Sequence, residues 1–136
     1  MSYGNGNGAS AYQQARVMGS SSEQLVPMLY ERLLADLRRS GALIRARDFE
    51  GKSERLQHAA EIVFELMSAL DLEAGGELAA RLSALYVFFA NEISEIGRTL
   101  DMDRLERLTV LVASLHTSWV EAAAAVGRGD AQRRIS

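Results

Sequence analysis

An all-α fold, an antiparallel up-down four-helix bundle with a flexible N-terminal arm, is predicted by three features of this chain. The 136 residues include a single proline, so almost nowhere is a backbone donor missing from a helix. Apolar residues recur three and four positions apart in four separate stretches, the spacing that places them on one helical face. Gly and Asp clusters fall between the stretches, and no segment alternates convincingly as a strand. With 48% hydrophobic residues the chain is long enough for one domain with a core and too short to divide into two.

Residues 1–21 read as the arm, 22–127 as the bundle and 128–136 as a disordered polar tail. The first helix is expected from Ser22, as N-cap, to about Ala46, with Val26, Leu29, Tyr30, Leu33, Leu37 and Ile44 inward. Pro27 is awkward so close after that cap, and either moves the start towards Val26 or bends the helix. Asp48 caps a second helix to about Leu70, whose inward residues are Leu56, Ala59, Val63, Leu66 and Leu70, with Phe49 extending the seam. The run Asp71 to Gly76 breaks it. A third helix then carries Leu78, Leu82, Leu85, Phe89, Ile93 and Ile96 inward and stops at Gly97. Asp101 or Asp103 starts the fourth, whose Leu105, Leu108, Val112, Leu115, Trp119, Ala122 and Val126 lead to Gly127.

Composition excludes several classes of function. Fifteen basic against 18 acidic residues give a formal charge of -3, so no global field favours nucleic acid or an anionic membrane. The longest uninterrupted apolar run, Ala84 to Ala90, is far short of the roughly 20 residues that span a bilayer, so no membrane insertion is expected. Met1 to Ser10 lacks the basic start and apolar stretch of a secretion signal, and there is no cysteine. Cytosol is the expected compartment.

No catalytic constellation emerges. His58 is followed by Ala-Ala-Glu61 and His116 by Thr-Ser-Trp119, which differ from the His-x-x-Lys-Gly of histidine phosphotransfer bundles. Neither histidine has a Glu three residues before it, as a di-iron bundle requires. His58 has Glu54 as its expected polar neighbour. Ser20 to Ser22 has no base at useful spacing. No metal, no cofactor and no enzymatic activity are expected. Arg32, Arg38, Arg39, Arg45 and Arg47 read as a solvated face, paired with Glu31, Asp36, Asp48 and Glu50.

Stepping each helix at about 100° per residue leaves apolar side chains that the seams do not use. Met28, Phe64, Val87 and Val110 point nearly away from them, one on each helix. Leu25, Leu34, Ile62, Met67, Tyr86, Phe88, Leu111 and Val120 widen the apolar surface on the flanks. Single exposed apolar residues are normal. Together these read as grooves for an amphipathic segment of a partner, or as a self-association surface.

The order and spacing of several groups resemble the FliS family of flagellar export chaperones. Tyr12, Val17, Ser21, Glu23, Leu25, Met28, Leu29 and Tyr30 fall in register with the start of that family. Glu65 to Asp71, Gly75-Gly76-Glu77, Leu82 to Tyr86 and Trp119 also match, whereas Gly19, Ser22, Arg32, Arg81 and Val87 depart from the usual residues. The resemblance implies a cytoplasmic four-helix chaperone around which the C-terminal segment of flagellin wraps, folding into helices in apolar grooves, so that it neither polymerises early nor misses type III export. Tyr12 and Val17 would then belong to an arm that covers a groove until the client arrives. The contact set expected from surface and resemblance together is Tyr12, Val17, Leu25, Met28, Leu29, Tyr30, Phe64, Met67, Tyr86, Val87, Phe88, Val110 and Leu111. Further partners would be an export-gate component or a co-chaperone. The alternative is a homodimeric signalling or adaptor bundle with a different protein partner.

Overall fold

The computed structural model describes residues 24–135, with side chains as far as Arg128, and among them are four helices and no strand. These are α1 (Leu25–Arg45), α2 (Phe49–Ser68), α3 (Leu72–Thr99) and α4 (Met102–Ile135). Links this short leave successive helices no choice but to run antiparallel. α1 packs on α2 and α4, and α3 packs on the same two from the opposite corner. The up-down bundle expected from the sequence is therefore the fold.

Local chemistry explains most of the boundaries. Gln24 holds the N-cap position of α1 without a side-chain hydrogen bond, and the expected cap Ser22 lies outside the described residues. With α1 starting at Leu25, Pro27 falls in the first turn, where backbone N–H groups have no helical acceptor and a missing donor costs little. Asp48 caps α2 by accepting from Gly51 N–H at 2.9 Å. Asp71 and Asp101 do the same for α3 and α4, accepting from Ala74 N–H at 2.9 Å and Arg104 N–H at 3.1 Å. Asp101 rather than Asp103 is thus the cap of α4.

Three boundaries differ from expectation. The break at residues 71–76 is narrower, because Leu72 to Gly75 already form a helical turn and the chain kinks only at Gly76, with φ 55° and ψ -131°. That conformation is essentially restricted to glycine. α3 then runs through Gly97 to Thr99 and closes on Leu100, at φ 58°, whose N–H reaches the Ile96 carbonyl at 2.8 Å. Likewise α4 continues through Gly127 to Ile135, in place of the expected disordered tail. Ala131, Gln132, Arg133 and Arg134 are good helix formers and no proline stops them.

α1 ends in a Schellman motif. Arg47 N–H bonds the Ile44 carbonyl at 3.0 Å and Asp48 N–H bonds the Leu43 carbonyl at 2.9 Å. The left-handed position belongs to Arg47, at φ 61°, a conformation that costs a residue with a Cβ about 1–2 kcal/mol. Arg47→Gly is therefore expected to raise stability by about 0.5–1 kcal/mol, after the entropy of an added glycine is subtracted. A higher urea midpoint at unchanged slope is the readout. The Arg47 guanidinium lies 5.7 Å from the centre of the Phe49 ring. Phe49 is consequently an exposed neighbour of that turn and not part of the α2 seam.

The core follows the predicted seams through most of their length. Val26, Leu29, Tyr30, Leu33 and Leu37 meet Leu56, Ala59, Val63 and Leu66 across the α1/α2 contact. Phe89, Ile93 and Ile96 of α3, and Leu105, Leu108, Val112 and Trp119 of α4, complete it. Gly41 brings α1 close to α4, since a Cβ there would sit 3.3 Å from Leu105 Cδ2. By length and composition the stretch Met102–Arg128 would also suit a membrane span. Its Leu105, Leu108, Val112 and Trp119 are instead buried in the bundle, and Arg104 pairs with Glu92 of α3 at 3.0 Å. Leu78, Leu82 and Leu85, expected to be buried, are only partly so. They lie along α3 and α4, the loosest of the four helix contacts.

Candidate partner-binding surface

α3 has an open apolar flank on each side. Towards α2, a groove of about 300 Å³ is floored by Leu56, Ala60, Ala90, Ile93 and Gly97. Small residues at Ala60, Ala90, Ser94 and Gly97 let the two helices part at the surface without filling the space between them. Phe64 stands one turn beyond Ala60 on the same face, and Val87 one turn before Ala90, so both extend the groove. They are exposed at 59% and 47%. Met67, partly buried, continues the same face of α2.

On the α4 side, Leu78, Leu82 and Leu85 of α3 and Leu111 and Leu115 of α4 are only partly buried against the core. The register is fixed by the Glu92–Arg104 pair. Phe88, one turn before Glu92, rims this second flank and is exposed.

The remaining expected contact residues are distributed as follows. Leu25 and Met28 are exposed on α1, and Val110 is exposed on α4, where the helical step from the buried Leu108 and Val112 turns it outward. Tyr12 and Val17 lie outside the described residues. Leu29 and Tyr30, expected both in the inward seam of α1 and in the contact set, are core, with relative exposures of 1% and 0%, and Tyr86, expected on a flank, is corrected to core at 0%. Leu34 and Ile62, expected on the flanks, are buried as well.

The aromatic residues explain this correction. The Tyr30 and Tyr86 hydroxyls share a hydrogen bond at 3.0 Å across the bundle, from α1 to its diagonal neighbour α3. The Tyr30 ring lies 6.4 Å from Tyr86 and 6.2 Å from Trp119, and Tyr86 lies 5.8 Å from Phe89. A side chain at the edge of a seam turns inward when a buried polar partner and large rings are available there. Burial raises the Tyr30 phenol, offset in part by its hydrogen-bonding neighbours Tyr86 and Trp119, and pushes the Tyr86 phenol well above its ordinary range. They stay neutral, and their hydrogen bond ties α1 to α3 through the core.

Two polar features were missed by sequence reasoning. The buried Asp36 carboxylate of α1 accepts from Arg55 at 3.1 Å and contacts His58 Nδ1, both on α2. His58 therefore pairs across the helix contact and not with Glu54 on its own helix. The other is Lys52, buried at the end of the α2/α3 groove, where Nζ donates to the Gly97 carbonyl at 3.1 Å. A lysine one turn past a capping Asp carries no sequence signal of burial. Among the described residues no group of three metal-ligating side chains converges.

Known proteins give the same family as the residues. A family model described as Flagellar protein FliS matches residues 5–126. A protein named flagellar secretion chaperone FliS from Campylobacter jejuni subsp. jejuni is 32% identical over 111 residues, which cover 82% of this chain and 87% of that protein. The proteins of the same name from Salmonella typhimurium and Escherichia coli K12 are 30% and 29% identical. They align over 83% and 84% of this chain, and over 87% and 88% of their own lengths. With a four-helix bundle, apolar flanks on both sides of α3 and a family match over most of its length, this chain belongs to the FliS family of flagellar secretion chaperones.

Proposed function

We propose that this chain is a cytoplasmic export chaperone whose apolar flanks hold the C-terminal segment of flagellin as newly formed helices, blocking early polymerisation. The observation that carries the reading is the pair of open apolar flanks along α3, with Phe64 and Val87 on one and Phe88 and Leu111 on the other. One extended segment that folds in both would cover most of this exposed apolar surface. Helix-in-groove docking draws its affinity from such burial, and a segment that orders on binding needs a broad surface to offset the entropy it loses. The named relatives are secretion chaperones of flagella, and flagellin is the subunit whose premature assembly such a protein would prevent. The family is one of chaperones and not of enzymes.

Filament assembly tests the reading directly. Purified flagellin from the same organism, seeded with short filaments, is expected to stop elongating when this protein is added at one-to-one stoichiometry. Elongation at an unchanged rate in its presence would contradict the proposal.

A further inference from the structure

We propose that Lys52 reads a carboxylate on the bound segment, so that the α2/α3 groove selects a helix carrying an acidic residue at one end of its apolar face. This rests on the function proposed above. Lys52 is the only lysine in the chain, and it is 8% exposed. The other basic side chains are arginines, with the two histidines set aside. An ammonium offers three N–H donors, and one of them is used by the Gly97 carbonyl at 3.1 Å. Among the described residues no carboxylate forms an ion pair with it.

The end of a helix carries about half a negative charge, so the last turn of α3 compensates the ammonium only in part. Holding a charge in that state is costly unless further acceptors reach it. The groove opens at this point, because Lys52 lines it together with Ser53, Gln57 and Ser94. In the free protein, solvent water entering the open groove is the available source of further acceptors, since the Gly97 carbonyl is the acceptor the fold provides. When an apolar helix lies along Ala60 and Ala90, that water is displaced, and the ammonium then needs a replacement acceptor from the segment itself. A carboxylate satisfies both the charge and the free donors. An amide satisfies only the donors, and an alkyl side chain satisfies neither. The groove thus has an apolar length followed by a cationic end, and it fits an amphipathic helix with one Asp or Glu in register.

The experiment is a double-mutant cycle by calorimetric titration. The C-terminal forty or so residues of flagellin from the same organism, and versions with each acidic residue changed singly to its amide, are titrated into the native protein and into K52Q. One acid-to-amide change is expected to weaken binding to the native protein by about tenfold or more. The same change should leave binding to K52Q unaltered. Circular dichroism checks that each variant is folded, and K52M, which keeps the buried aliphatic stem, replaces K52Q if the latter is not. Tight binding in which no acidic residue couples to Lys52 overturns this inference and leaves the proposed function standing. No binding of the unmodified segment to the native protein overturns both.

Discussion

Replacing Phe64 and Val87 together by glutamate is expected to weaken binding of the flagellin C-terminal segment by at least about a hundredfold. Burying one large apolar side chain contributes about 1.5–3 kcal/mol, and each 1.4 kcal/mol is tenfold in affinity. Losing two such contacts, and placing charges in the groove, exceeds a hundredfold even when the effects are not additive. The fold should be nearly indifferent, because both side chains are already exposed on the free bundle and surface changes rarely exceed about 0.5 kcal/mol. A thermal melt alongside the titration separates the two effects. The corresponding change at Val110, exposed but on the outer face of α4, is the internal comparison and should alter affinity far less.

Tyr86→Ala is expected to have the opposite profile, with a large loss of stability. The side chain is fully buried between Tyr30 and Phe89, and truncating a buried aromatic costs about 3–5 kcal/mol. Against a total of about 5–15 kcal/mol, that is a fifth or more of the stability of a typical domain. Tyr86→Phe isolates the hydroxyl. It removes the partner of the buried Tyr30 hydroxyl at 3.0 Å and leaves it only Trp119 as a hydrogen-bonding neighbour, at a cost of about 1–3 kcal/mol. The double variant Tyr30→Phe with Tyr86→Phe removes both hydroxyls and should cost less than the two single changes summed. Additive losses in urea unfolding would mean that the hydroxyls do not act as a pair.

The contrast between these two predictions shows how far the sequence could be read. Helical periodicity found the four seams because core burial is what repeats a spacing of three and four. The capping role of Asp48 was legible from its place just before a periodic run. Phe64 and Val87 were legible as outward residues, since their direction depends only on the helix that carries them. Tyr86 was not, because its burial depends on a hydroxyl on another helix, 56 positions away in the chain. Leu82 failed in the reverse sense. Its place in the seam is correct, yet α3 and α4 pack too loosely to cover it. Asp36 and His58 belong to the same class of tertiary feature, for which two short polar side chains 22 residues apart give no local signal. The continuation of α4 past Gly127 was hidden for a different reason, since a lone glycine only weakens a helix whose neighbours favour it.

Folding of a flagellin segment on the apolar flanks of α3 is what the proposed function requires. Its most direct test is titration of the C-terminal forty or so residues of flagellin into this protein, with heat measured at several temperatures and helix content measured by circular dichroism before and after. A one-to-one complex is expected, with a gain in helicity beyond the sum of the parts and a negative heat-capacity change, the mark of apolar burial coupled to folding. A well-folded bundle that gives neither heat nor added helicity would contradict it.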